Sequence, residues 1–172
     1  MSGRLVREDF VAAKHIPQFQ WFDCGSEGWD TEVANWIKAG NAADSVVTDM
    51  ASRGTRVWVY YREEDNALVG FGSLGKHKWT LPGSGTKQPI SIIPNLAVAL
   101  QFRGVPPGTT YAMQIMDDLF DEAENDKATH PVLALCVDAR NQRAIHFYMS
   151  KYNFTIIEPP LADGHLRMAV RL

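Results

Sequence analysis

Between Leu96 and Thr109 the chain reads L-A-V-A-L-Q-F-R-G-V-P-P-G-T, a β-rich run that passes through a glycine-containing loop into a helical pattern. A strand–loop–helix connection of this kind aims backbone N–H groups and the positive end of a helix dipole at one place, which suits an anion. Arg103 can add a charge-assisted contact there. Pro106 and Pro107 work against it, because proline has no N–H and fixes φ at about −65°. An ordinary strand-to-helix turn would give the same pattern. The second chemical stretch runs from Val132 to Phe154, V-L-A-L-C-V-D-A-R-N-Q-R-A-I-H-F-Y-M-S-K-Y-N-F. Its apolar start stops at Asp138-Ala139-Arg140, and Ala144, Phe147, Tyr148 and Lys151 then recur at helical spacing behind Asn141, a good N-cap. Tyr148 carries a phenol with an ordinary pKa of about 10, able to donate a hydrogen bond or a proton without being ionised at rest. A half-buried aromatic with a wet hydroxyl fits the same position. Tyr152 falls on a different face, and His146 points elsewhere from Tyr148.

The elements that must position these residues follow from pattern and punctuation. Arg4–Arg7 begins a short strand, and a loop rich in aromatic and polar residues follows (Q-F-Q-W-F-D-C-G-S-E-G-W-D). Asp30 caps a helix with an apolar face of Val33, Trp36 and Ile37. A second helix covers Ala42–Ser52 and stops at Gly54. Val57–Tyr61 and Ala67–Leu74 are strands of a hairpin joined by E-E-D-N. Lys76–Gln88 reads as an exposed loop, Ile90–Leu100 as a strand, and Thr109–Lys127 as a helix. The Val132–Val137 strand, the Asn141 helix and a last strand at His165–Arg171 complete one domain over residues 1–172. The expected fold class is α/β, a mixed, mostly antiparallel central sheet of six to seven strands with helices on both faces.

Bulk properties narrow the function classes. The chain has 172 residues, 45% hydrophobic and 22% charged, with a net charge of −3. That is an ordinary globular composition without the basic excess of a dedicated nucleic-acid binder. No apolar run approaches the ~20 residues that span a bilayer. Arg4, Arg7, Glu8 and Asp9 interrupt the start, so no signal peptide is expected and a cytoplasmic location follows by default. Cys24 and Cys136 read as two reduced thiols, and without CxxC or histidines at ligand spacing no metal site is expected. The acidic run Asp117, Asp118, Asp121, Glu122, Glu124 and Asp126 reads as a solvated helix face. Five tryptophans lie in the first half of the chain and should mostly be core, leaving one or two for an acceptor pocket or a homodimer contact.

Strand, Asn-led helix, Phe-Tyr and strand together resemble the C-terminal half of a GNAT-superfamily N-acetyltransferase, and the element order is similar to that fold. The resemblance implies acetyl-CoA as co-substrate and a primary amine on a small molecule, peptide or protein as acceptor. Acetyl-CoA would lie in a splayed gap between the strand ending near Leu100 and the Val132–Val137 strand. Leu96, Ala97 and Val98 would supply main-chain groups to the acetyl and pantetheine parts from a bulged strand. The loop Arg103, Gly104, Val105, Gly108 and Thr109 would take the pyrophosphate, with Pro106 in place of a motif glycine. Asn141 would reach the CoA arm, and Tyr148 would protonate the leaving thiolate. Asn153 stands where the family has glycine, and asparagine is the best non-glycine for a positive φ. The general base is open among Asp23, Glu27, Asp30 and a water chain, with His146 less favoured because it points elsewhere from Tyr148. Phe22-Asp23-Cys24-Gly25 with Asp30 resembles a toxin-like subgroup that acetylates aminoacyl-tRNA, with Trp29 in place of a leucine. Arg53, Arg56, Lys76, Lys78, Lys87, Arg140 and Arg143 are its candidate phosphate contacts. A non-catalytic module with a degenerate loop is the third reading.

Overall fold

In a computed structural model that describes residues 3–40 and 42–172, the chain begins with β1 (Leu5–Asp9), α1 (Ala12–Gln18) and a 3-10 turn at Phe19–Trp21. Next come α2 (Asp30–Lys38), α3 (Val46–Arg53), β2 (Arg56–Arg62), β3 (Leu68–Thr80), β4 (Lys87–Ile93) and β5 (Leu96–Val98). After a second 3-10 turn, Leu100–Phe102, come α4 (Tyr111–Thr129), β6 (Ala134–Ala139), α5 (Gln142–Tyr152), β7 (Thr155–Ile156) and β8 (Leu166–Arg171). Hydrogen bonding links the strands in the order β1-β2-β3-β4-β6-β8-β7, with β5 beside β3. Among the described residues the β4–β6 pair is parallel and the other pairs are antiparallel. The chain divides into two compact units, the first holding the chain up to Leu74 with Asn95–Leu119, the second Gly75–Pro94 with Phe120–Leu172.

In the first unit the period of two along β3 assigns its two faces. Phe71 is fully buried and meets Phe19, Phe22 and Trp36 at ring distances of 5.6, 5.9 and 5.8 Å. Gly72 points the opposite way, and a Cβ there would press on Ile115 and Leu119 of α4, at 3.0 and 3.2 Å. Helices therefore cover both faces of this strand. Local signals set most helix ends: Ser45 caps α3 and Gly54 ends it in the left-handed conformation, φ 64°. The predicted start at Ala42 is too early, because the hydroxyl of Ser45 accepts from the Thr48 N–H and makes Val46 the first helical residue. Asp30 is likewise the first residue of α2 rather than its cap, which is Trp29.

Three elements depart from the sequence reading. α1 lies in a region expected to be loop; it has seven residues, no side-chain cap and Pro17 in its last turn. Tertiary contacts hold it: His15 is fully buried with its ring 6.5 Å from that of Tyr61, and Gln18 Oε1 accepts from the Tyr61 hydroxyl at 2.6 Å. The stretch Lys76–Gln88 is not a loop: β3 runs on to Thr80 and pairs with β4 from Lys87, leaving a short turn. Its side chains Lys76, His77 and Lys78 are exposed while Trp79 is buried, so the polar residues ride on a strand anchored by one aromatic. In the second unit Trp79 packs with Leu81, Ile90, Ala134, Cys136 and Ala169. The Arg167 guanidinium lies 4.5 Å from the Trp79 ring centre and is held by Asp138 at 3.2 Å.

The third departure is the expected strand Ile90–Leu100, which is two strands. β3 pairs Gly75 with Ile92 but Gly72 with Leu96, so the register shifts by one residue across Pro94–Asn95, a β-bulge. Ser73 fixes it. Its buried hydroxyl donates to the Asn95 carbonyl at 2.7 Å and accepts from the Asn95 N–H at 2.9 Å. Ser73→Ala leaves two buried backbone groups without a partner and should lower stability by about 1–3 kcal/mol. The check is a lower denaturant midpoint with an unchanged slope.

Candidate active site

The bulge decides which way the backbone of β5 faces. Ala99 donates its N–H to the Val69 carbonyl at 2.8 Å, toward β3. Backbone groups alternate along a strand, so Ala97 also faces β3, while Leu96 and Val98 turn their N–H and carbonyl groups to the other edge. The close approach needs Gly70, where a Cβ would lie 2.1 Å from the Ala97 carbonyl oxygen. Ala97 and Val98 are buried and Leu96 half-buried. An N–H on such an edge can hold an oxyanion in place.

From β5 the chain passes through the 3-10 turn into the loop Arg103–Thr109. Gly104 and Gly108 take positive φ values of 70° and 89°, and Gly104, Val105, Gly108 and Thr109 are exposed. Pro106 and Pro107 lie in the loop, ahead of the helix rather than in its first turn. Thr110 accepts from the Met113 N–H through Oγ1 at 3.3 Å, and the Val105 carbonyl accepts from the Tyr111 N–H at 2.8 Å. The α4 N-terminus therefore opens directly behind four exposed loop residues that still have N–H groups, the arrangement that suits a phosphate. Arg103 does not reach over this loop: its Nη2 donates to Asp30 Oδ2 at 3.3 Å.

The residues singled out in the second unit sit on α5. Asn141 caps it, Oδ1 accepting from the Ala144 N–H at 2.8 Å. Asn153 ends it at φ 56°. Tyr148 is buried against Phe147 and Phe154, ring distances 5.4 and 5.3 Å, and burial pushes its phenol above the usual tyrosine range. A phenol so placed is a neutral donor. Tyr152 stacks on Phe120 at 5.5 Å and His146 is exposed.

Both cysteines are buried, and burial raises Cys24 to about 11 and Cys136 to about 12. Neither is a thiolate at neutral pH. Among the described residues no cluster of three or more His, Cys, Asp or Glu could hold a metal, and no helix is long and apolar enough to cross a membrane. Of the candidate bases, Asp23 accepts from the Gly25 N–H at 2.8 Å, and Asp30 is 8% exposed and paired with Arg103. The acidic face of α4 is not uniformly solvated, because Asp118 binds Arg7 and the Tyr60 hydroxyl, each at 2.6 Å. Of the basic candidates, Arg53 pairs with Asp49 at 3.1 Å and Arg56 lies over Trp58 at 5.2 Å. Lys76, Lys78 and Lys87 share one exposed face of the β3–β4 ribbon, since Thr80 pairs with Lys87.

The residues that sequence reasoning missed are Ser73, Gly70 and the Asp30–Arg103 pair. The only hint in the sequence was the F-D-C-G segment followed by Asp30.

Comparison with known proteins places this geometry. No curated protein matches the chain. Solved structures do. A bacterial toxin superposes with a TM-score of 0.75 at 17% identity, over 98% of this chain and 91% of that one. The toxin AtaT, as a variant bound to the C-terminus of its antitoxin AtaR and to acetyl-CoA, gives 0.70 at 15%, over 97% and 92%. AtaT complexed with acetyl-methionyl-tRNAfMet gives 0.66 at 16%, over 95% and 94%. At these identities the likeness shows a shared fold. The model of the acetyltransferase (GNAT) family matches residues 11–154, most of the chain, and the chain belongs to that family of acyltransferases.

Proposed function

We propose that the protein moves an acetyl group from acetyl-CoA to a primary amine by direct attack. The observation that carries this reading is the Ser73-locked bulge, which turns the Leu96 and Val98 backbone to an edge that pairs with no strand among the described residues, next to the exposed loop Gly104–Thr109. Leu96 and Val98 would hold the pantetheine arm and polarise the acetyl carbonyl. Gly104, Val105, Gly108, Thr109 and the α4 N-terminus would receive the pyrophosphate. Asn141 would hydrogen-bond the CoA arm.

Acetyl-CoA supplies the acetyl thioester. The neutral amine forms the new C–N bond to the carbonyl carbon, and the C–S bond breaks. Tyr148 gives its phenolic proton to the departing sulfur, and the proton shed by the amine passes to water, which returns one to the phenolate. The raised Tyr148 pKa keeps the phenol protonated at rest and favours its reprotonation after each transfer. The solved relatives of similar fold include tyrosine-to-phenylalanine variants of AtaT and KacT, which supports the choice of a tyrosine.

A finer reading places the amine on an aminoacyl-tRNA. It draws on the toxin neighbours, one of them complexed with acetyl-methionyl-tRNAfMet, and on Phe22-Asp23-Cys24-Gly25 with Asp30. Lys76, Lys78 and Lys87 offer phosphate contacts on one face, against a net charge of −3.

Calorimetric titration with acetyl-CoA tests the cofactor assignment. Micromolar binding is expected, and no binding up to millimolar cofactor would favour the non-catalytic module instead. Tyr148→Phe should cut turnover by about 10-fold or more, toward the 10²–10⁴ range of general acid–base catalysis, with acetyl-CoA affinity little changed. In the wild type the rate should climb with pH as the amine loses its proton. No downturn from Tyr148 should appear below about pH 10; a descending limb below about pH 9 that vanishes in the Phe variant would contradict the burial of the phenol. Ellman's reagent should leave both thiols untouched in the folded protein and titrate two after denaturation, which separates direct attack from a cysteine-linked route. Charged tRNA incubated with labelled acetyl-CoA and the protein decides the finer reading: label on the aminoacyl group supports it, and label only on small amines or peptides refutes it.

A further inference from the structure

The segment Phe22–Asp30 takes no part in the chemistry above, yet its long-range polar contacts converge on the start of the phosphate loop. The Asp23 carbonyl accepts from the Leu100 N–H at 2.7 Å, just beyond the end of β5. The Asp30 carboxylate receives Arg103 Nη2 at 3.3 Å, in a pair whose side chains are 11% and 28% exposed. Gly25, at φ 110°, lies directly under that pair. A Cβ there would stand 2.5 Å from Arg103 Nη2 and 2.6 Å from Asp30 Oδ2, so a side chain would push the two apart.

The segment is itself held in shape. Asp23 Oδ1 accepts from the Gly25 N–H at 2.8 Å, Asp30 Oδ2 from the Glu27 N–H at 3.1 Å, and Cys24 Sγ donates to the Asp30 carbonyl at 3.2 Å. Asp30 is also the first residue of α2, where the helix dipole favours a negative charge. The carboxylate is thus fixed before Arg103 meets it. Cys24, buried and without nucleophilic character, has a place in this arrangement as a link between the turn and the helix start.

Arg103 immediately precedes Gly104, the first positive-φ residue of the loop. Two of the loop's N–H donors are missing at Pro106 and Pro107, so binding depends on how well the remaining ones are aimed before the ligand arrives. A guanidinium pinned at its far end and a backbone pinned at Leu100 hold both ends of the short connection into the loop. We propose that Phe22–Asp30 is a brace for the phosphate loop, in which Asp30 and Gly25 are positioning residues that hold Arg103, and through it Gly104 and Val105, in the orientation that receives a pyrophosphate. This rests on the reading of the loop as the acetyl-CoA pyrophosphate site. It assigns a role to the F-D-C-G segment that is independent of which amine is acetylated.

The test is a double-mutant cycle on acetyl-CoA affinity by calorimetry, with wild type, Asp30→Asn, Arg103→Gln and the double variant. Each single change should weaken binding by about tenfold, equivalent to about 1.4 kcal/mol, and the double variant should be no weaker than either single one, as for two parts of one unit. S-acetylpantetheine, which lacks the pyrophosphate, should bind all four proteins equally, an outcome that general loosening of the site would not give. Asp30→Glu, which keeps the charge and displaces it by one methylene, serves in the cycle if Asp30→Asn does not fold. Normal acetyl-CoA binding by Asp30→Asn alongside loss in Arg103→Gln, or additive losses in the double variant, would overturn the brace. Equal losses for S-acetylpantetheine would overturn it as well. Failure of the wild type itself to bind acetyl-CoA would instead remove the proposed function on which the brace rests.

Discussion

One buried hydroxyl governs the geometry of this protein. A strand that contains Pro94 cannot keep its ladder complete, because proline donates nothing, and every other buried backbone group in the vicinity still needs a partner. Ser73 resolves this by serving both the N–H and the carbonyl of Asn95. The register then resumes one residue out of step, and such a slip exchanges the two sides of a strand. Leu96 and Val98 thereby offer their main-chain groups to the free edge, while Ala97 and Ala99 face β3. Gly70 is the matching concession on β3, since the Ala97 carbonyl occupies the space of its missing side chain. The chemistry assigned to β5 therefore depends on two small residues in a neighbouring strand, neither of which would touch a ligand.

Several ionisable groups in each unit are held neutral or paired. Tyr148 is kept protonated by its burial between Phe147 and Phe154, and both thiols are held well above neutrality. Asp30 is spent on Arg103 and Asp118 on Arg7 and Tyr60. The first unit offers backbone N–H groups and a helix N-terminus, and the second a neutral phenol, the parts that the proposed transfer would use. With both thiols protonated, direct attack by the acceptor amine is the route proposed for the transfer.

The parts of the fold legible in the sequence were those specified within a few residues. Asn141 capping α5, Asn153 ending it, Gly54 ending α3 and the E-E-D-N turn all act through local hydrogen bonds or a tolerated positive φ. What could not be read depends on partners far along the chain. α1 has a poor local sequence and is held by the burial of His15. The extension of β3 through Lys76-His77-Lys78 looks like loop until Lys87–Ile92 pairs with it. Ser73 is an unremarkable strand serine until Asn95 lies opposite. Asp30 and Arg103 are 73 positions apart, and the proximity of Gly25 to both becomes visible only in three dimensions. The helix that carries Tyr148 was legible as a local feature, whereas the role proposed for the phenol rests on the family resemblance.

The two loop prolines can be weighed on the same terms. A hydrogen bond to a charged group contributes about 1.5–3 kcal/mol, so two missing donors remove about 3–6 kcal/mol of potential binding. Fixing one flexible residue costs about 1–2 kcal/mol, and prolines that are already rigid return about 2–4 kcal/mol of that cost. Stiffness alone therefore offsets most of the loss but not all of it, and it helps only if the rigid loop points the right way. Gly104 and Gly108 on either side can adopt the positive φ values the turn requires, but glycines are also where a loop would otherwise wander. Order imposed upstream of Gly104 would narrow that gap, and the contacts of Asp23, Gly25 and Asp30 with Leu100 and Arg103 are a source of it. As a pyrophosphate site the loop would exchange donor number for rigidity, and the proposed brace by the F-D-C-G segment would support that exchange.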